Sequence, residues 1–258
     1  MPDSATVGAA LAAGVLISFV WGRALWYFDE RSEAFRRWVL FAMGFSRCNL
    51  SEMRSLLLSA IYYGLGLLAS ILFAIAFGLK ASSLISFSGS HVGMVVLGTV
   101  GEISLVNLFS SFCCRITGQG PERFVEIEEI PWIKGLRQLP ARAVPLAAAL
   151  AGMIEELFFR GVLLRILTEW RMMPALVAVA ITGVLFCLQQ LVQVRTAFQA
   201  MITGCGCVAI SLVGGLLVVV TGSVVPALLS HASFVVFFMA KGADSTGAAR
   251  RARGMAGR

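Results

Sequence analysis

The chain has 258 residues, of which 58% are hydrophobic and only 14% are charged, with a mean hydropathy of +0.85. A soluble domain of this length is closer to half apolar and a quarter charged, so the composition excludes an ordinary soluble protein. The net charge of +7 does not indicate nucleic-acid binding, because the basic residues lie between long apolar runs, where they report on membrane topology.

Apolar runs of about 20 residues recur along the chain, and each is long enough to form a bilayer-spanning helix. The first run has no basic residue before it, which indicates a retained helix and not a cleaved signal sequence. The third is long for one span and is predicted to be tilted, or broken near Gly98 or Gly101. We predict an all-α, polytopic membrane bundle of about seven transmembrane helices, at 7–28, 56–79, 84–113, 144–167, 174–191, 197–220 and 222–240.

Most of the 21 basic residues fall on one side of the bundle when seven spans alternate in direction. They lie between the first two spans, around the third connection from Arg115 to Arg142, at Arg195, and in the tail from Lys241 onward. Because basic loops stay in the cytoplasm, this pattern places the C-terminus inside and the N-terminus outside. The preference for Arg over Lys is typical of a bacterial coding sequence, so the expected location is a bacterial plasma membrane.

The polar segments divide the chain into three predicted regions. Residues 1–140 hold the N-terminal spans and the polar connection, residues 141–240 hold a charged helical core, and residues 241–258 form a disordered basic tail that contacts anionic lipid. The six cysteines have no CxxC spacing, which favours simple packing roles over metal binding. No pair of broken spans is repeated in the two halves, which disfavours a transporter.

The fourth predicted span, within AGMIEELFFRGVLLRIL from 151 to 167, carries charges that cannot face lipid cheaply. Glu156 and Arg160 are four residues apart and share a helical face, so we predict a structural ion pair between them. Glu155 lies about 100° around the helix. It is predicted to lack that partner and to act as a general base toward water. The alternative is that these residues only fix the packing of helices.

Two later segments carry polar residues that can converge on Glu155. FCLQQL, from 186 to 191, contains Gln190, and TGSVVPALLSHASF, from 221 to 234, contains His231. A histidine within a span is a candidate functional residue. Both side chains are also explained by hydrogen bonds that hold helices together.

The series EELFFRG, FCLQQL and TGSVVPALLSHAS resembles the CPBP (Abi) family of CAAX-processing and bacteriocin-processing intramembrane proteases, over about residues 141–240. That family shows EExxxR, then FxxxH, then HxxxN or HxxxD. The resemblance implies that Glu155 activates water to attack a peptide carbonyl, and that Glu156 pairs with Arg160. It also implies that His231 belongs to a set that binds a metal or stabilises the oxyanion. The expected partners are membrane lipid and a peptide or membrane-protein substrate.

Two positions depart from the family pattern. Gln190 stands at the histidine position of the second motif, and Val235 at the Asn or Asp position of the third. Glutamine can donate to an oxyanion but is a poor zinc ligand, and valine can do neither. With only Glu155 and His231 as metal ligands, a divalent metal such as zinc is expected to be held weakly or not at all. The alternative function is a catalytically impaired relative that binds a membrane peptide or partner, in immunity or maturation.

Three polar residues of the third span lie outside the resemblance. His91, Glu102 and Asn107 can replace the missing groups only if this helix packs beside the fourth. Otherwise they form a polar cluster that holds helices together.

Overall fold

The computed structural model describes residues 4–80, 84–169 and 173–239, and within these ranges the chain is helical and contains no strand. A 3-10 turn forms at Pro121–Phe124. The helices are α1 (Ser4–Glu30), α2 (Glu33–Met43), α3 (Leu50–Ala76), α4 (Gly89–Thr117), α5 (Val125–Glu128), α6 (Pro131–Gln138), α7 (Val144–Glu156, continued by Leu157–Leu163 and Leu164–Glu169), α8 (Ala175–Leu191), α9 (Ala197–Thr221) and α10 (Val225–Met239).

The predicted helical membrane bundle is confirmed. Among the described residues, four helices (α1, α3, α4 and α9) are long and apolar enough to cross a bilayer, and α8 and α10 are shorter apolar helices. Together with α7 they match the seven predicted runs. Large apolar side chains such as Leu72, Val100 and Val220 are exposed on the outside of the bundle. Such a surface suits contact with lipid and not with water.

The start of α4 differs from the sequence prediction. This helix begins at Gly89 and not at residue 84, because the chain before it is held in a non-helical form by Ser223. The Ser86 N–H donates to Ser223 Oγ at 3.3 Å, and the Ser223 hydroxyl donates to the Ser86 carbonyl at 2.5 Å. From Gly89 the helix continues unbroken to Thr117, so the break considered at Gly98 or Gly101 is absent.

Helix α2 lies in a connection where the sequence pattern predicted no helix. Ser32 caps its N-terminus by accepting a hydrogen bond from the Phe35 N–H at 3.1 Å. Phe35 and Val39, one turn apart, pack on Met53 of α3, whereas Trp38 is exposed. Because α2 directly follows an apolar helix and is amphipathic, we expect it to lie in the membrane interface.

Helix α7 is enclosed by its neighbours and forms the centre of the bundle. It contacts α3, α8 and α9, while α9 also packs along α4 and α8. The segment Leu157–Leu163 is π-helical, and six of its seven residues are buried. A π-helical turn within an α-helix is uncommon and occurs frequently at functional sites. The π-helical geometry starts directly after Glu156 and includes Arg160.

Small residues allow the helices to approach closely. A Cβ atom at Gly22 of α1 would lie 2.5 Å from the carbonyl oxygen of Gln189 in α8. A Cβ at Gly215 of α9 would lie 2.5 Å from the Cγ1 atom of Val179. These contacts bring α1, α8 and α9 close together around α7.

The polar connection between α4 and α7 folds into short helical segments joined by ion pairs. Arg137 lies 2.6 Å from Glu128, and the Gln199 amide of α9 donates to the Glu126 carbonyl at 2.7 Å. Hydrogen bonds from Arg123 and then from Thr196 hold the pKa of the Glu126 carboxyl below its usual range. These groups are close to solvent, so each ion pair contributes little to stability. Their main effect is to hold the connection over one end of the bundle.

The predicted orientation can be tested with reporters that are active on only one side of the membrane. A fusion after Lys241, which lies outside the described residues, is expected to be cytoplasmic because most basic residues fall in connections on that side. The matched fusion after Leu79, which follows α3, is expected on the opposite side. A cytoplasmic signal from both fusions, or an external signal after Lys241, would contradict seven alternating spans.

Candidate functional site

A buried ion pair lies within α7. Glu156 Oε1 and Arg160 Nη1 are 3.1 Å apart, and the two side chains are 0% and 1% exposed. The Arg160 Nη2 atom donates to Ser211 Oγ of α9 at 2.9 Å, and the guanidinium lies 4.7 Å from the centre of the Phe186 ring. The ion pair predicted from the four-residue spacing of Glu156 and Arg160 is therefore present. Helices α8 and α9 supply further partners for the guanidinium.

His231 of α10 lies between the two glutamates. Its Nδ1 atom is 3.1 Å from Glu156 Oε1, and its Nε2 atom is 3.9 Å from Glu155 Oε2. Its ring lies against Gly152, where an added Cβ would be 3.3 Å from the ring carbons. Because Nδ1 is engaged with Glu156, the imidazole presents Nε2 to Glu155.

Glu155 is not paired with Arg160, as the sequence predicts, but it accepts hydrogen bonds from two other helices. The Tyr62 hydroxyl of α3 and the Gln190 amide of α8 both donate to Glu155 Oε1, the latter at 2.7 Å. The Tyr62 oxygen in turn accepts a hydrogen bond from the Gln189 amide at 2.7 Å. Spacing along α7 correctly separates Glu155 from Arg160, but it cannot reveal donors from helices α3 and α8. Both donors are neutral, so Glu155 has no cation as close as the one that pairs with Glu156.

A cavity of about 650 Å³ lies against this group of residues. Glu155, Gln190 and His231 all line it, as we predicted from the order of the motifs, and Val235 lines it too. The remaining walls are mostly apolar, and the cavity extends to charged residues near the polar connection. These charged residues are Arg23, Asp29, Glu30, Glu128, Arg137 and Arg195.

Sequence reasoning missed Tyr62 and Ser211, which come from helices without a motif. The only sequence signal for Tyr62 is a polar hydroxyl inside an apolar run, and Tyr63 carries the same signal.

Two of the three polar residues of the third span stay apart from the site. The His91 ring accepts from the Ser88 N–H at the start of α4, and the exposed Asn107 donates to a carbonyl of its own helix.

The residues present do not fit a catalytic zinc ion. Such a site normally takes three protein ligands, and no group of three His, Cys, Asp or Glu residues suited to a metal occurs in the described parts of the chain. Gln190 turns its amide nitrogen toward Glu155, and an amide nitrogen has no lone pair for a metal. Glu155 and His231 alone would bind a metal only weakly.

The three motifs predicted a protease-like segment, and a comparison with protein families tests that prediction. Residues 137–237 match the family model described as type II CAAX prenyl endopeptidase Rce1-like. The match confirms the resemblance. The Rce1-like segment runs from α6 into α10 and contains Glu155, Gln190 and His231. No curated protein and no solved structure matches the chain.

At the level of the family, the Rce1-like segment indicates a CAAX-type intramembrane endopeptidase in a lipid environment, acting on a peptide or protein. Two residues that face the site lie outside this segment. Tyr62 comes from α3 and Glu102 from α4, so the N-terminal half of the chain contributes to the same buried centre.

Proposed function

We propose that this protein is an intramembrane endopeptidase in which Glu155 is the general base. The observation that carries the proposal is the 3.9 Å separation of Glu155 Oε2 and His231 Nε2 at the wall of a large cavity. A water molecule in front of these two atoms would lie within hydrogen-bonding reach of both. The Gln190 and Tyr62 donors occupy Oε1, which leaves Oε2 to accept the proton of that water.

The reaction then follows from the groups present and needs no metal. Glu155 takes one proton from water while the water oxygen attacks the peptide carbonyl carbon. The Gln190 amide has two N–H groups, one bound to Glu155 and a second that can donate to the developing oxyanion. When the C–N bond breaks, the proton held by Glu155 passes to the leaving nitrogen, giving a carboxylic acid and an amine. Glu156 and Arg160 hold His231 and α7 in place.

The cavity suits an apolar peptide that enters from the charged end of the bundle. Its deep walls include Phe186, Phe234 and Phe238, and its outer part includes the ion pair of Glu128 with Arg137. With the orientation expected from the basic residues, this end faces the cytoplasm. We therefore propose that the substrate is a leader peptide or a membrane-protein segment presented from that side.

A second candidate function is binding without cleavage. Val235, at the Asn or Asp position of the third motif, lines the cavity with an apolar side chain that cannot donate to an oxyanion. An impaired enzyme of this kind would keep the cavity and the ion pair and would bind a membrane peptide or a partner protein.

The Glu155→Gln variant tests whether the carboxylate is the base. With a library of short apolar peptides and protein in liposomes, read by mass spectrometry, we expect cleavage to fall by at least about 100-fold. The control is Glu122→Gln, which changes an exposed acid in the polar connection. A metal chelator should leave the wild-type rate unchanged, and metal analysis should find no stoichiometric zinc. Cleavage that survives Glu155→Gln contradicts the proposed base, whereas binding without cleavage by the wild type favours the second function.

Tyr62→Phe tests the donor from α3 and has a matched control at the next residue. Without the Tyr62 donor Glu155 loses a hydrogen bond that orients its carboxylate, so we expect kcat to fall by roughly 10-fold with little change in KM. The Tyr63 hydroxyl donates to the Ala147 carbonyl at 2.7 Å and not to a glutamate. Tyr63→Phe should therefore have a much smaller effect on kcat, and equal effects of the two variants would remove Tyr62 from the mechanism.

A further inference from the structure

Glu102 of α4 is a third carboxyl group at the buried centre, and the reaction proposed above does not use it. Its side chain is fully buried, and neither of its carboxyl oxygens has a hydrogen-bond partner within bonding distance in the described part of the chain. An ionised carboxylate buried in this way without donors is strongly disfavoured. The side chain therefore needs either a compensating partner or a proton.

Packing of α4 on α10 places Glu102 next to Ser230. Gly98, one turn before Glu102, lies so close to α10 that an added Cβ would be 2.7 Å from Ser230 Oγ. The Ser230 hydroxyl is also buried and without a partner at normal hydrogen-bond distance. Ser230 is a hydrogen-bonding side chain that acts on the Glu102 carboxyl, and it directly precedes His231.

The charges around Glu102 argue against a third ionised carboxylate. The charged or titratable groups that interact electrostatically with the Glu102 carboxyl are His231 of α10 and Glu156 and Arg160 of α7. Arg160 and the Nδ1 atom of His231 are already in contact with Glu156. An ionised Glu102 would compete with Glu156 for the same two partners, and it would repel the Glu156 carboxylate at low dielectric.

We propose that Glu102 is held as a neutral carboxylic acid with Ser230 as its acceptor, through a hydrogen bond that a rotation of either side chain would close, and that it positions α10 and His231 against α7. The role of His231 in this statement rests on the proposed peptidase function. In its neutral form Glu102 leaves Glu156 as the ionised partner of Arg160 and His231. It also makes α4, which lies outside the Rce1-like segment, part of the site.

Infrared difference spectroscopy on the purified full chain at neutral pH tests the protonation state directly. Subtracting the Glu102→Gln spectrum from that of the wild type should reveal the carbonyl stretching band of a protonated carboxylic acid. The control Glu122→Gln, which removes an exposed acid, should remove carboxylate bands instead. Ser230→Ala should shift the frequency of the Glu102 band because its acceptor is lost. A carboxylate difference for Glu102→Gln, or an unmoved band in Ser230→Ala, overturns the proposal.

The positioning role is tested by comparing two replacements of the same side chain. Glu102→Ala should lower kcat at least tenfold, and Glu102→Gln, which keeps a hydrogen-bond donor of the same shape, should recover most of that loss. Equal losses in the two variants overturn the positioning role. The infrared measurement needs no substrate, so a wild type without cleavage would contradict the proposed function alone, and the protonation of Glu102 would still be decided.

Discussion

Replacing Arg160 with alanine is expected to lower the free energy of unfolding by about 3–5 kcal/mol. The change leaves Glu156 fully buried with the His231 imidazole as its remaining close partner. It also removes the donor to Ser211 and the cation that lies over Phe186. Removing one member of a buried pair is costly mainly because the other charge stays behind without compensation.

Glu155→Ala is the informative comparison for Arg160→Ala. It leaves the Tyr62 hydroxyl and the Gln190 amide without their acceptor, a loss of about 1–3 kcal/mol. Because Glu155 lines the cavity, water can replace part of that hydrogen bonding. Thermal unfolding in detergent and the yield of monodisperse protein measure both variants. The control is Arg37→Ala, whose side chain is 82% exposed and which should have almost no effect. Equal losses for Arg160→Ala and Glu155→Ala would refute the division of roles between the two glutamates.

The residues of α7 show what the sequence could predict about the site. Glu156 and Arg160 had to meet because a helix places residues four apart on one face, and lipid excludes an unpaired charge. The same cost of exposure to lipid argued that Glu155 and His231 face the interior. The spacing of residues along one helix and the cost of exposing a charge to lipid depend only on the local sequence. Both can therefore be inferred from a single sequence.

Other features depend on contacts between distant parts of the chain. Tyr62 reaches Glu155 across 93 positions of sequence, and nothing in its own segment distinguishes it from Tyr63. Glu102 stood out as a charge within an apolar run, but its neighbour Ser230 depends on how α4 packs on α10. The π-helical turn after Glu156 leaves no periodic signal either, because its residues are buried all round. These features require the packed bundle.

The double variant Gln190→His with Val235→Asn is expected to cleave peptides on the order of 100-fold faster than the wild type. Val235 lies one turn after His231 on α10 and lines the same cavity, so an asparagine there would present a hydrogen-bond donor beside the imidazole. Gln190 already faces Glu155, so a histidine at this position would also lie at the reacting group. A single oxyanion donor is typically worth about 100- to 1000-fold in kcat, and stabilisation of this kind is usually the largest catalytic contribution.

The gain should appear in kcat. Stability should not rise with it, because Val235→Asn places a polar group at a helix position that is only 8% exposed. Expression and size-exclusion profiles must therefore be matched before rates are compared. The control pairs Gln190→His with Val236→Asn, which adds the same amide one residue further along, at a position that does not line the cavity. If the wild type cleaves as fast as the double variant, then the second N–H of the Gln190 amide already supplies the oxyanion donor. In that case Val235 marks a different arrangement of an active site and not an impaired one.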